Sequence, residues 1–414
     1  MIENYKMLRI VYYEDYNDYE KTYKERISSP STVLTNLEIF PFSQSTEQRI
    51  TNRKFKIFLM TVPEIVRLIE KVFTNSQHLE QLANSIPGIA NNRLITNLLI
   101  DEIKSSNDIE GVKSTRAEIN KAIQVGEKEK VRFSGIVNLY TGMFKNNKIE
   151  INELSDFRSI YDEMFADEIN ESDLPDGMLF RNKGVSISDK SRTYHRGDPN
   201  ETIINDSLSS LIEFMNNNKA SYLLKALITH YFFEYVHPFY DGNGRMGRFL
   251  LSRYLSRKIN TYTGLSVSRG VLKNKSKYEE AFLQMSHLHN RADITLFVIE
   301  MLEIIIDGQK DIIGQMELLD KQLKRAEDKI DKMHKDNLQS NILLLLTQNY
   351  LFDPINGGLT NGDIYKISKR NGMSIGRKRI DDNCKNLSKE GLLIQISKKP
   401  IEYTLSESFR QELE

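Results

Sequence analysis

The 414-residue chain carries 57 basic and 57 acidic side chains, so no global charge draws it to nucleic acid or to an anionic membrane. Its single cysteine, Cys384, excludes an intramolecular disulfide and a cysteine-rich metal site, and fits a reducing compartment. The length leaves room for two or three domains. With no basic-then-apolar leader and no apolar run of membrane-spanning length, a cytoplasmic protein without a membrane partner is expected.

Residues 1–60 read as a mixed N-terminal extension. Within it 8–13 has the look of a strand, 15–26 is polar and tyrosine-rich, and Pro30 marks a turn over 28–31; a packing role is expected and no chemistry is assigned. From about Val62 the pattern is helical, with Ile65, Val66, Leu68, Ile69 and Val72 on one apolar face and Pro87-Gly88 as punctuation. A further helix over about 95–111 rests on Leu98, Leu99 and Ile103 and ends at Gly111, the residue type that suits the position just past a helix. Ser106 and Glu110 are four apart and share a face; taken alone, they are an ordinary helix end. Helices follow over 117–123 and 133–143. The alternation of Val185 and Ile187 about Ser186 then predicts a short strand in a surface hairpin. His195 and Asp198, in the polar loop beyond, are too loosely spaced to suggest a metal site.

The densest chemistry follows a helix read over 221–236 on Leu224, Leu227, Ile228, Tyr231 and Tyr235. Pro238 turns His237 away from helical geometry and ends that helix. Gly242, Asn243 and Gly244 allow a tight turn whose N–H groups converge on an anion, and a second helix through Phe249, Leu250, Tyr254 and Leu255 puts that turn at a helix N-terminus. Asp241 is placed to hold a divalent cation such as Mg²⁺, which takes one or two carboxylates and completes its shell with water and phosphate. Arg245 and Arg248, three apart, can grip phosphate oxygens, and a neutral His237 is a general base at cellular pH. Base, metal carboxylate, anion nest and arginine clamp together describe nucleotide-dependent group transfer. His230, two turns before His237, reads as a core-facing histidine ahead of a catalytic one.

The twelve residues HPFYDGNGRMGR resemble the signature of the Fic family, whose members with the full pattern mostly transfer AMP from ATP to a hydroxyl of a protein. The resemblance implies that His237 deprotonates the target hydroxyl and Asp241 holds Mg²⁺. It implies further that Gly242, Asn243, Gly244 and Gly247 form the phosphate-cradling turn, with Arg245 on the β-phosphate and Arg248 on the γ-phosphate. Gly244 and Arg248 argue against the phosphorylating branch of the family. It also recasts two earlier stretches. Ser106, Glu110 and Gly111 fit the family's inhibitory helix, in which Glu110 would pair with Arg248 and keep it from ATP; Val185, Ser186 and Ile187 fall on the flap that pairs with the target segment. The same glutamate serves removal of AMP in some relatives, so a hydrolase using Glu110 is an alternative. Segments 274–282 and 293–302 resemble the closing helices of that fold, with Tyr278 either near the adenine or in the core.

From Ile312, the residues Ile312, Met316, Leu319, Leu323, Ala326, Ile330 and Met333 alternate steps of four and three, a heptad seam that either dimerises, packs back or spaces. The segment from about Ser340 reads as three helices and two strands about the turn Lys398-Lys399-Pro400, a pattern that looks like a winged helix with Ser374 capping its third helix and Cys384 in its core. Between Lys366 and Lys399 stand ten basic and three acidic residues, which suits phosphate contacts, so DNA and protein are both candidate partners. The expected fold is mainly α. Its parts are an extension at 1–60, a Fic-type helical core at 61–305 with a small β-hairpin flap, a long helix at 306–338 and a winged helix-turn-helix domain at 339–414. The expected function is a Mg²⁺-dependent protein adenylyltransferase acting on Tyr, Thr or Ser hydroxyls, itself included. A DNA-binding regulator that senses nucleotide is the remaining alternative.

Overall fold

A computed structural model describes residues 5–144, 150–166, 168–188, 193–217, 220–333, 335–352 and 358–413. In chain order its elements begin with helices α1 (Leu8–Glu14) and α2 (Tyr16–Ser28) and strands β1 (Thr32–Ile39), β2 (Phe42–Ser43), β3 (Gln48–Arg49) and β4 (Phe55–Met60). Helices α3 (Pro63–Ser85), α4 (Gly88–Ile109), α5 (Arg116–Val125), α6 (Ser134–Phe144) and α7 (Leu154–Phe165) follow, then the hairpin β5 (Ser186–Ser188) and β6 (Thr193–Arg196). Next come α8 (Glu201–Asn216), α9 (Tyr222–Val236), α10 (Asn243–Lys258), α11 (Thr261–Gly264), α12 (Val267–Lys273), α13 (Lys275–Met285) and α14 (Thr295–Lys332). The chain closes with α15 (Asn337–Phe352), β7 (Leu359–Thr360), α16 (Asn361–Arg370), α17 (Arg377–Lys389), β8 (Leu393–Lys398), β9 (Ile401–Leu405) and α18 (Glu407–Gln411). It divides into two compact units, one of Met1–Gln77 with Ile100–Lys310, the other of His78–Leu99 with Asp311–Glu414. No helix among the described residues is long and apolar enough to cross a membrane.

In the first unit α9 is the central element. Every residue from Leu223 to Val236 except Thr229 is buried, the condition of a helix apolar on all sides, and α8 and α10 pack against it. The N-terminal extension is built into this unit. β1 pairs antiparallel with β4, Phe58 exchanges backbone hydrogen bonds with Ala292 (3.2 Å) and Ile294 (3.0 Å), and the Phe42 N–H donates to Ser286 (2.7 Å). Residues 8–13 are helical, not a strand: Leu8 and Val11, three apart, are the buried pair of α1, and Tyr12 stacks on His289 with ring centroids 3.5 Å apart. Helix period won over the apparent alternation because these side chains have a core on one side only.

The second unit has its own core. Ile342, Leu346, Ile364, Ile380, Cys384, Leu387 and Tyr403 are buried together, and Ala326 and Ile330 from the end of α14 pack with them. Its sheet runs β7-β9-β8, antiparallel throughout. Of the heptad positions, Ile312, Met316, Leu323, Ala326 and Ile330 are buried within the single chain. Ser374 does not cap the helix after it. α17 starts at Arg377 with Gly376 in the N-cap position and no side-chain cap, because the chain stays extended through Gly376.

Candidate active site

The site begins where α9 ends. His237 takes the helix C-cap in the left-handed region, φ +53° and ψ +63°, so the chain reverses and the imidazole leaves the helix wall. Six residues on, Asn243 is buried and braces the loop, its carboxamide accepting from Phe239 N (2.9 Å) and donating to Phe239 O (2.8 Å). Gly242, at φ +85°, is the N-cap of α10 and faces the Phe165 ring, whose Cε2 would stand 2.7 Å from an added Cβ. The first N–H groups of α10 lack intrahelical partners and open toward the cavity at Gly244.

That end of α10 already faces an anion. Glu110 Oε1 lies 2.8 Å from Arg248 Nη2, and the Glu110 carboxylate covers Gly244 closely enough to overlap any added Cβ. Arg248 is held twice more, Nε donating to Ser106 Oγ (3.1 Å) and Nη2 to the Ser106 carbonyl (3.0 Å). The helix bearing Ser106 stops at Ile109, with Glu110 the next residue; Gly111 turns the chain at φ +72°, and Lys275 donates to the Ile109 carbonyl at 2.7 Å.

Arg245 and Arg248, on α10, serve different carboxylates. Arg245, buried, pairs with Glu168 at 2.9 Å (Nη1 to Oε2) and lies over the Phe165 ring at 4.5 Å, while its Nη2 is 3.7 Å from Asp241 Oδ2. Asp241 accepts from Gly242 N with Oδ1 (2.6 Å), and its side chain is more than half exposed. Gly247 leaves room for Glu234: an added Cβ would stand 3.1 Å from its Cδ.

Burial sets the protonation states here. It lowers His237 to about 4, with Arg181 the next cause, so the imidazole is neutral at pH 7. It raises Glu234 to about 8 and Glu102, which accepts from Ser268 N (2.8 Å) and Oγ (2.7 Å), to about 7. For Glu110 burial pushes upward, but the charge and hydrogen bond of Arg248, with His237 and Arg245 adding to them, together outweigh it and hold the carboxyl below its usual range. His230 is buried, bonds Tyr278 Oη through Nε2 at 2.9 Å and is lowered to about 3 by burial, a core histidine as its spacing suggests.

These groups share one cavity of about 530 Å³, lined by Glu110, His237, Gly244, Arg248 and, on its apolar side, Ile187, Tyr278 and Phe282. The volume suits a nucleotide-sized ligand. The hairpin lies at its rim. β5 starts at Ser186 and pairs with β6, while Val185, just before it, accepts from Gly197 N at 3.1 Å. Sequence reading missed Glu168, Arg181, Glu234 and Arg49. Arg49 pairs with Asp198 and donates to the Tyr235 carbonyl (3.0 Å), so the N-terminal extension supplies part of the site's support. His195 donates from Nε2 to the same carbonyl, 2.7 Å from Tyr235 O. Among the described residues no group of three or more His, Cys, Asp or Glu is gathered for a metal ion.

Residues 151–255 match the model of the Fic/DOC family. Over 58 residues, 14% of this chain, the sequence is 36% identical to a probable protein adenylyltransferase of Aquifex aeolicus, a match that spans 18% of that relative's length. The crystal structure of a Fic family protein from Desulfovibrio desulfuricans superposes with a TM-score of 0.51 at 18% identity, over 84% of this chain and 97% of that one. Fic-1 of C. elegans gives a TM-score of 0.42 at 16% identity, over 61% and 73%. The chain thus carries a Fic/DOC family domain, and its fold is Fic-like.

Proposed function

We propose that this chain, with its Fic/DOC domain, transfers AMP from ATP to a Tyr, Thr or Ser hydroxyl of a protein, itself included, and that Glu110 holds the reaction off. One observation carries the reading: an internal anion, the Glu110 carboxylate, lies against Gly244 and Arg248 in the cavity that His237 lines. A helix N-terminus beside an arginine is a phosphate site by its physics, and a carboxylate is what such a site takes in the absence of phosphate.

In this mechanism the neutral His237 accepts the proton of the target hydroxyl. The freed oxygen attacks the α-phosphorus; the new O–P bond forms as the bond to the α–β bridging oxygen breaks, and pyrophosphate leaves. N–H groups at the start of α10 and the Arg248 guanidinium meet the charge on the phosphates once Glu110 has withdrawn. Asp241, with its side chain more than half exposed, fits Mg²⁺ that takes its other ligands from phosphate and water. Bound there, Mg²⁺ would neutralise phosphate charge. β5 pairs on one side only, so Val185, Ser186 and Ile187 would receive the target segment along the free edge.

The test is transfer of label from α-labelled ATP with Mg²⁺. Faint self-labelling is expected of the unaltered chain, strong labelling of Glu110→Gly, and none of Glu110→Gly with His237→Ala. A Glu110→Gly protein that binds ATP yet stays unlabelled would overturn the transferase, and removal of AMP from a modified protein would then be measured.

A second reading concerns the C-terminal unit, whose three helices and hairpin fit a winged helix. Exposed Arg377, Lys378 and Arg379 open α17, and exposed Lys398 and Lys399 sit at the β8–β9 turn, an arrangement that favours duplex DNA. Binding that weakens steeply with salt would support it; no binding at low salt would remove it.

A further inference from the structure

A helix C-terminus is the negative end of the helix dipole, and a histidine placed there is ordinarily favoured as the cation. His237 caps α9 at that end, the wrong place for a side chain that must stay neutral to accept a proton. The chain resolves this with Arg181. Its side chain is fully buried, and its donors go to main-chain carbonyls: Nε to His237 (2.9 Å), Nη2 to Val236 (3.3 Å) and Nη1 to Lys183 (2.6 Å). Its own N–H donates to Pro238 at 3.3 Å, and the Asp198 N–H adds a second donor on Val236, at 2.9 Å. The Val236 and His237 carbonyls are thus engaged by a cation, and of the last carbonyls of α9 it is the Glu234 one, 3.3 Å from His237 Nδ1, that still favours an imidazolium.

Two further facts give the arrangement a purpose beyond filling space. A buried guanidinium resting on neutral carbonyls is expensive in free energy compared with an apolar side chain of the same size, so packing alone does not account for it. Gly197 also makes room for it: an added Cβ would stand 2.5 Å from Arg181 Nη2, 2.9 Å from His237 Cβ and 3.0 Å from the Val236 carbonyl oxygen.

We propose that Arg181 is the positioning residue of His237: it ties the root of the flap hairpin, through Lys183, to the last carbonyls of α9, fixes His237 in its left-handed conformation and keeps the imidazole uncharged. This rests on the transferase reading, in which His237 is the base. The other charges facing His237 are few. Arg49, from β3, also disfavours a proton on it, and Glu110, from α4, favours one. Glu234, its own-helix neighbour with Oε2 3.9 Å from Nδ1, is pushed up to about 8 by burial and is itself protonated at neutral pH. His195, from β6, is held neutral by burial and by Arg49.

The test uses the full chain in the Glu110→Gly background, adding Arg181→Met, Arg181→Lys or Gly197→Ala. Two profiles are read between pH 5 and 8.5: AMP transfer, and carbethoxylation of His237 followed on its own peptide by mass spectrometry, which reports the neutral imidazole whether or not the enzyme turns over. Arg181→Met is expected to move the acid limb of both profiles up from about 4 by at least one pH unit, so that transfer at pH 5 falls at least about twofold further than at pH 8, with the KM for ATP within twofold. Arg181→Lys keeps the charge and should hold the acid limb while lowering kcat, since one ammonium does not reproduce three aimed donors. Equal loss at every pH with both profiles unshifted would overturn the proposal, as would a change in the KM for ATP alone. If Arg181→Met does not fold, the same comparison is read from Arg181→Lys and Gly197→Ala. If Glu110→Gly transfers nothing, the transferase reading fails while the carbethoxylation profile still decides the role of Arg181.

Discussion

Glu110 and Gly244 compete for one volume: an added Cβ on Gly244 would stand 2.9 Å from the Glu110 carboxyl carbon and 3.0 Å from Arg248 Nη1. The glycine is therefore required by the contact of Glu110 with Arg248 as it stands. Charge and bulk of the glutamate can be separated experimentally. Glu110→Gln keeps the bulk and loses the ion pair, so transfer activity should rise only severalfold, whereas Glu110→Gly should raise it ~10²-fold or more, the scale on which one aimed donor acts. Equal activity in the two variants, measured by label transfer from ATP, would show that charge alone is the lock.

Lys275 gives a second way to loosen the same contact. Its ammonium holds the Ile109 carbonyl, the last of α4, one residue from Glu110. Lys275→Met should free that helix end and raise basal self-labelling by a few fold without altering the labelling of Glu110→Gly. An unchanged basal rate would mean that the helix end is held well enough by Ser106 and Arg248.

Glu168 should matter for stability as well as for ATP. It and Arg245 form a buried pair, side chains 5% and 3% exposed, and removing one partner strands the other charge. Glu168→Gln is expected to destabilise the first unit by about 3 kcal/mol and to raise the KM for ATP, because Arg245 then turns toward Asp241. The double change Glu168→Gln with Arg245→Met should recover part of the stability and none of the activity. Denaturant unfolding and KM measurements check both halves.

Glu234 sets a pH dependence of stability. Its pKa is raised from 4.5 to about 8 in the folded protein, so the stability linked to its proton is complete below 4.5 and is lost as pH rises through about 8. Between pH 7 and 9 the Tm of the unaltered chain should fall, and Glu234→Gln, which mimics the protonated carboxyl, should fall less. Parallel Tm profiles over that range would show that the carboxyl is already ionised when folded.

What could be read in the sequence was what is local in it. His237 to Arg248 lie on one helix end, one turn and the next helix start, so proline, glycine and apolar spacing sufficed to place them. Only the family resemblance brought Ser106 and Glu110 to Arg248, across 142 positions in the case of Ser106; the other partners could not be read, because each arrives from far along the chain: Arg245 meets Glu168 across 77 positions and His237 meets Arg181 across 56. A lone arginine in Phe180-Arg181-Asn182 carries no pattern that marks burial, and Arg49 sits in a two-residue strand with none of the alternation that betrays a sheet. The opposite error at residues 8–13 has the same origin. Six residues show too little of either period for one to win before the neighbouring His289 and Phe58 are known.

On the reading proposed above, in which Glu110 holds the reaction off, the Glu110–Arg248 lock has lopsided access to water. The Arg248 side chain is 1% exposed and the Glu110 side chain 36%, so the two do not part symmetrically. A departing carboxylate meets solvent at once and is rehydrated as it goes, while the guanidinium stays behind on the Ser106 hydroxyl and carbonyl. The open form therefore inherits an arginine already aimed, with little left to rearrange. Whatever relieves the enzyme has only to draw off the end of one helix. It follows that agents acting on α4 from outside should change how often the site is open and leave the rate of an open site alone.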